Sequence, residues 1–350
     1  MSGASASKAL IVAPAWVGDA VMTQPLLSRL RQYQPKLTLD VFASSWVAPV
    51  FERMEEVSNI IDNPFGHGEL SLVRRYTLAR QLVRSGYQYA YILPNSLKSA
   101  LVPFFAKIPK RIGFTGEMRY GLINCRHHLD VTALPKMVER FARLAESPGA
   151  DLPKPLPMPR LSSSLDQRLA TLNQLNIVRP QSVVVFCPGA EYGPAKRWPA
   201  SYFAGLSKGL AEHGYAIWII GSPKDKSVGD EIIRLSLCAE KLENFCGKTS
   251  LSQAIDLLAA ADFVVSNDSG LMHIAAALKR PLIALYGSSS PDFTPPLSEQ
   301  AKIVRKELGC SPCFKRECPL KHLDCLHAIT PQEVLEIFLN IDKSLVERSG

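Results

Sequence analysis

Short apolar, β-branched runs alternate along this chain with segments of helical periodicity, and most of the runs stop at a polar turn. Runs over 9–13 (ALIVA), 37–43, 89–93 (YAYIL), 182–186 (SVVVF), 215–220, 263–266 and 281–285 have the length and content of buried strands. Helical patterns follow over 20–32, 47–56, 200–213, 251–260, an Ala-rich stretch from 270, and an amphipathic stretch over 331–341. Gly214 stands where a C′ residue would close the third of these helices, and Ser250 with Gln253 forms a capping box ahead of the fourth. Strand–helix alternation of this kind predicts parallel sheets flanked by helices and joined by right-handed crossovers. Between 147 and 164 five prolines (Pro148, Pro153, Pro155, Pro157 and Pro159) interrupt any helix and make a stiff connection. The expected organisation is therefore two α/β domains, 1–160 and 161–330, with a cleft between the lobes. A C-terminal helix over 331–350 would pack back on the first domain.

A length of 350 residues suits two domains that each bury a core, and 47% hydrophobic with 21% charged residues is a globular composition. No apolar run approaches the roughly 18 residues of a membrane span. The first ten residues lack the long apolar region and cleavage site of a signal peptide, so a cytoplasmic protein with reduced thiols is expected. The formal net charge of +8 favours anionic partners without choosing among them.

The turns narrow the choice. At 264–277 a strand stops at Asn267-Asp268-Ser269-Gly270 and a helix begins at once. A helix start offers unpaired N–H groups and the positive end of the macrodipole, which suits a diphosphate. An ordinary capped α/β turn is the competing reading. Asp268 and His273 would stand at the rim. Asp19 lies where the first strand hands over to the first helix, in a loop that also carries Trp16, as either a cap or a catalytic carboxylate. A single glycine in that loop is not the GxGxxG of a dinucleotide site. Asn95 and Lys98 occupy a further polar turn after the strand at 89–93. Arg74, Arg75, Arg80 and Arg84, in a basic stretch that starts at His67, read either as a solvated face or as a phosphate-facing stripe, and Arg111 and Arg119 extend the basic set. Aromatic residues are not interleaved with these charges as a nucleic-acid stacking platform requires. The series Cys310-x2-Cys313-x4-Cys318-x6-Cys325 begins like a zinc knuckle, but its later spacings match no standard finger, and reduced structural thiols are the plainer reading, so no metal ligand is assigned.

Five segments together resemble the lipopolysaccharide heptosyltransferases of glycosyltransferase family 9. They are AWVGDA (15–20), LPNSLKSALVPFFA (93–106), PGAEYGPAKRWP (188–199), NDSGLMHIAAAL (267–278) and YGSSSPDFTPP (286–296). The Cys310–Cys325 segment departs from the pattern. The resemblance implies a GT-B fold, two Rossmann-like domains with parallel sheets facing a central cleft, the first binding acceptor and the second ADP-heptose. It implies inverting transfer of L-glycero-D-manno-heptose from ADP-heptose to the first heptose of heptosyl-Kdo2-lipid A. Addition of the first heptose to Kdo2-lipid A, or use of another nucleotide sugar, are the alternatives. By the resemblance Asp19 is the catalytic base and Lys196 contacts the diphosphate and donor sugar. Asp268, Ser269, Gly270, Leu271, His273, Gly189 and Ala190 would bind donor, with Asp225 near the ribose and Thr249 near the adenine. Asn95, Lys98, Arg74, Arg75, Arg80, Arg111 and Arg119 would meet the acceptor. No cofactor is expected, transfer is expected to be metal-independent, and peripheral contact with the cytoplasmic face of the inner membrane is expected. Nucleic acid is not.

Overall fold

The computed structural model describes residues 7–66 and 68–349, so His67 and the first six residues lie outside the described chain. It divides into two compact units, Met1–Leu161 and Ser162–Gly350. The first carries strands β1 (Lys8–Val12), β2 (Thr38–Ala43), β3 (Asn59–Asp62), β4 (Tyr89–Ile92), β5 (Lys110–Phe114) and β6 (Cys125–His127). Its helices are α1 (Val17–Met22), α2 (Gln24–Tyr33), α3 (Ala48–Phe51), α4 (Leu72–Leu82), α5 (Leu101–Phe105) and α6 (Met137–Arg143). The second carries β7 (Val183–Cys187), β8 (Ala216–Ile219), β9 (Leu242–Asn244), β10 (Phe263–Asn267), β11 (Leu282–Tyr286) and β12 (Ala301–Arg305). Its helices are α7 (Leu165–Gln174), α8 (Ala200–Glu212), α9 (Lys226–Leu235), α10 (Leu251–Ala260), α11 (Gly270–Ala277), α12 (Asp324–His327) and α13 (Pro331–Ser349).

Both sheets are parallel throughout, with orders β3-β2-β1-β4-β5-β6 and β12-β11-β10-β7-β8-β9. Counted within its own unit, each sheet runs 3-2-1-4-5-6, the doubly wound Rossmann order. Central strands covered by helices on both faces must be apolar on both, and β7, β10 and β11 are buried at every position. Register places Phe263 opposite Val184 and Ala9 opposite Tyr89.

Three boundaries differ from the sequence reading. The helix expected over 20–32 is two helices broken at Thr23, because Pro25 sits in the first turn of α2 and cannot continue the ladder from α1. The helix expected over 47–56 ends at Phe51. The third concerns α13, read from the sequence as a segment of its own: Val334 and Phe338 lie in the core of the second unit with Phe203 and Phe263. Gly209 explains the fit, since a Cβ there would stand 2.4 Å from Leu335 Cδ2, so the two helices pack this closely only with glycine inside α8. The capping box of Ser250 and Gln253 and the left-handed Gly214 after α8 are present as expected. The proline-rich stretch contains no helix or strand, and its end is held to the first unit where Gln24 Nε2 donates to Arg160 O (2.8 Å) and Arg160 N to Gln24 Oε1 (2.6 Å).

Candidate functional site

In the second unit the chain leaves β7 toward β8 and leaves β10 toward β11, on opposite sides, so a crevice forms at the carboxyl ends of this adjacent pair. Asn267, the last residue of β10, staples the two loops together. Its Nδ2 donates to Pro188 O (2.7 Å) and its Oδ1 accepts from Trp198 N (3.1 Å). The next turn starts α11. Its N-cap Ser269 is extended and its side chain caps no helix N–H, while Ser269, Gly270 and Leu271 stay half-buried. The first turn of α11 therefore presents N–H groups and the positive dipole end to the crevice.

Lys196 ends a single 3-10 turn, Pro194–Lys196, in the loop after β7. Its Nζ meets Asp268 Oδ2 at 2.5 Å, with side-chain exposures of 16% and 3%. A carboxylate this buried needs a partner, so the pair fixes both side chains beside the helix start. The ring of Tyr192 lies under the same ammonium, 5.1 Å from Nζ to centroid. His273, in α11, is buried, and desolvation pushes its pKa down to about 4 against the opposing pull of Asp268, so the imidazole is neutral near pH 7. The hydroxyls of Ser288 and Ser289, in the loop after β11, are buried and make no hydrogen bond within the protein.

Asp225 is also buried, and its Oδ2 accepts from Ser222 N (2.9 Å) and Ser222 Oγ (2.7 Å) while Arg197 stands 3.7 Å from Oδ1. Gly189 is required by this carboxylate: a Cβ there would lie 2.4 Å from Asp225 Cγ. Ala190 is buried alongside and its carbonyl accepts from Arg197 Nη2 at 3.3 Å. Thr249, half-buried, immediately precedes the cap of α10. The structure thus gathers Lys196, Asp268, Ser269, Gly270, Leu271 and His273 at one helix start, with Gly189 and Asp225 packed against each other nearby on the loops after β7 and β8.

In the first unit the corresponding pair is β1 and β4. Asp19 is not in the connecting loop, as expected, but in the first turn of α1, because Ala20 N donates to Trp16 O (2.8 Å) and starts the helix at Val17. The residue is half-buried there. Trp16 is 48% exposed, and the Trp46 indole holds the loop by donating to Ala15 O at 2.9 Å. After β4 the turn carrying Asn95 and Lys98 is held by Arg119, which donates to Pro94 O (2.8 Å) and Asn95 Oδ1 (3.1 Å).

Three arginines expected to face an acceptor are spent internally. Arg75 is buried, donates to Leu70 O (2.7 Å) and Glu69 O (3.0 Å), and stacks 4.0 Å from the Phe65 ring. Arg111 donates to Leu122 O (2.7 Å) and Ile108 O (2.6 Å), and Arg119 is buried under the Asn95 turn. Long cationic side chains often satisfy carbonyls that a loop leaves unpaired, and a sequence does not show which do so. Arg80 and Arg74 remain exposed on α4, Arg74 paired with Glu69 at 2.8 Å. Sequence reasoning missed Asn267, Tyr192, Ser288 and Ser289 as site residues. The Ser-Ser-Ser run at the end of β11 was the available signal for the last two.

Parallel sheets of this order, with a lysine and an open helix start at the switch point of the second, define a doubly wound α/β class whose crevice suits an anion. Comparison with known proteins narrows it. The profile of "Glycosyltransferase family 9 (heptosyltransferase)" matches residues 75–324. Lipopolysaccharide heptosyltransferase 2 of Escherichia coli strain K12 is 46% identical over 336 residues, covering 94% of this chain and 97% of that one. Lipooligosaccharide heptosyltransferase 2 of Haemophilus influenzae is 46% identical over 312 residues, covering 85% and 88%. The solved structure of the E. coli ADP-heptose lps heptosyltransferase II superposes with a TM-score of 0.88 at 43% identity, covering 98% of this chain and all of that one. This chain belongs to glycosyltransferase family 9, and its fold is GT-B.

Proposed function

We propose that this protein transfers L-glycero-D-manno-heptose from ADP-heptose to the first heptose of the lipopolysaccharide inner core. The support is likeness to heptosyltransferase 2 proteins over nearly the whole chain, together with the Lys196–Asp268 pair at the open start of α11. The N–H groups of Ser269, Gly270 and Leu271 would take the diphosphate, and Lys196 would offset the charge that grows on departing ADP. Such preorganised donors stabilise a leaving group without reorganisation at the moment of reaction. Asp268 would accept from heptose hydroxyls on the side away from Lys196. Asp225 keeps Oδ1 for a ribose hydroxyl while Oδ2 stays on Ser222, and Thr249 would adjoin the adenine.

Asp19 would act as base. The acceptor hydroxyl gives its proton to the carboxylate, its oxygen forms the new bond to the anomeric carbon from the face opposite ADP, and ADP leaves with the electrons of the broken C–O bond. Inversion follows from that geometry. Asn95 and Lys98, with Arg80 and Arg74, are the groups left to meet the acceptor's acidic sugars and phosphates. On α4 the exposed Leu72, Val73 and Tyr76 stand among these arginines, which suits shallow contact with an anionic membrane surface. No helix among the described residues is long and apolar enough to cross a membrane. We place the enzyme on the cytoplasmic face of the inner membrane.

The test is ADP release with ADP-heptose and heptosyl-Kdo2-lipid A. Acceptor-dependent release that survives brief EDTA treatment is expected. Release with Kdo2-lipid A alone would mean that the enzyme adds the first heptose, and loss of turnover in EDTA that added magnesium restores would show that transfer needs a divalent ion.

A further inference from the structure

The transfer reaction makes no use of the cysteines between β12 and α13. Cys310, Cys313, Cys318 and Cys325 are all free thiols, and the four of them line one small cavity of about 20 Å³ together with Ala195, Ser288 and His322. That is room for about one water-sized or ion-sized occupant. The turn between Cys318 and Cys325 is closed by Lys321 N, which donates to Cys318 O at 3.1 Å. Phe314, directly after Cys313, and Lys321 and Leu323, between Cys318 and Cys325, are left-handed although none is glycine. Strained residues of this kind persist where the surroundings over-determine the loop. The Nδ1 of His322 is taken by Asp324 N at 2.9 Å, which leaves the four sulfurs as the matched donor set.

We propose that Cys310, Cys313, Cys318 and Cys325 form a tetrathiolate site for one thiophilic metal ion, zinc or ferrous iron. Four thiolates close a tetrahedral site with no open position, so the ion is structural and takes no part in the transfer chemistry. Among the described residues no three potential ligands already stand at coordinating distances, so binding draws the sulfurs inward around the cavity and tightens the loop.

The loop between Cys313 and Cys318 is a strap over the donor lysine's segment. Arg316 O accepts from Ala195 N (3.0 Å), Phe314 O accepts from Tyr192 OH (2.7 Å), and Phe314 N donates to Ser288 O (2.7 Å). Gly193 permits the approach, since a Cβ there would lie 2.4 Å from Arg316 O. The ion would thus fasten the strap that sets Tyr192 and Ala195, the residues that place Lys196. This second part rests on the proposed donor site; the metal site does not.

The full chain, purified anaerobically under reducing conditions without an affinity metal, is expected to carry about one zinc or iron per chain by elemental analysis. Cys125→Ser should leave that content intact, while Cys313→Ser and Cys318→Ser should abolish it. Cobalt(II) added to stripped protein should give the intense visible bands of tetrahedral thiolate coordination, a readout that needs no variant. Metal-free protein with no such bands, or two disulfides among the four cysteines, would overturn the site. For the strap, stripping the ion with a mercurial and regenerating the thiols should raise the KM for ADP-heptose several-fold more than it lowers kcat. An unchanged donor KM would overturn the strap's role while the measured ion still stands.

Discussion

At the switch point of the second sheet, a buried carboxylate pairs with a lysine, and an asparagine staples the loop beside them. At the same point of the first sheet, in the same strand order, the groups are half-buried or exposed and separately held: Asp19 in a helix turn, Asn95 by Arg119, the Ala15 loop by Trp46. The difference separates what the fold supplies from what the residues supply. Strand order creates a crevice in each unit, but only the second lines it with an interlocked set of polar side chains. The first offers Asp19 and, against the turn after β4, Glu117, which accepts from Leu97 N at 2.8 Å, each held separately, and this is the rim proposed above to meet the acceptor.

The sharpest way to break this contrast is Asp19→Asn. It keeps the helix turn and should lower kcat by about 10²–10⁴-fold, the usual contribution of a positioned base, with donor binding unchanged. Calorimetry with ADP and steady-state rates together check it, and an unaltered kcat would remove Asp19 from the chemistry. Lys196→Met should cost about 10²–10³-fold in kcat and should also lower Tm, because Asp268 is left buried and unpaired. Adding Asp268→Asn should restore Tm without restoring rate, which separates the structural half of the pair from the catalytic half.

Arg75→Ala should destabilise the first unit by about 2–3 kcal/mol in urea denaturation, since two carbonyls lose a charged donor. Among the described residues each unit also buries one histidine whose pKa falls to about 4: His127 through desolvation and then Arg143, His273 through desolvation and then Lys196. A depressed folded value means that the unfolded chain binds protons first, so stability is full above about pH 6.5 and drains away as pH falls toward 4. Neither ring nitrogen of His127 has a hydrogen-bond partner, so His127→Leu should flatten the first unit's share of that loss. Urea midpoints at about pH 7 and about pH 5 measure it. The smallest effect belongs to Arg80→Ala, exposed on α4, which should change stability by less than about 0.5 kcal/mol and weaken only the binding of charged acceptor, more so at low salt.

Much of this was legible in the chain. The central strands β1, β7, β10 and β11 were found to within a residue or two, because burial on both faces demands an unbroken apolar run. The edges were not. β3, β6, β9 and β12, with sequences NIID, CRH, LEN and AKIVR, are short, partly exposed and polar enough to read as loop. In the site, the turn at Asp268–Gly270 and the lysine at 196 were visible as motifs, but their ion pair was not, since 72 residues separate them. The internal bonds of the arginines were invisible for a related reason: charge is written in the sequence, while its use by the carbonyls of Leu70, Leu122 or Pro94 is a property of loops that exist only when folded.

The packing of Gly189 on Asp225 constrains how this protein's sequence can drift. No residue with a side chain can appear at 189 while the carboxylate holds its place 2.4 Å from where a Cβ would stand. Asp225 is free of any such veto from a glycine, but losing it strips Ser222 of its acceptor. The pair can therefore be unlocked in one order only, through 225 first and at an immediate cost, and descendants that keep the aspartate inherit the glycine with it.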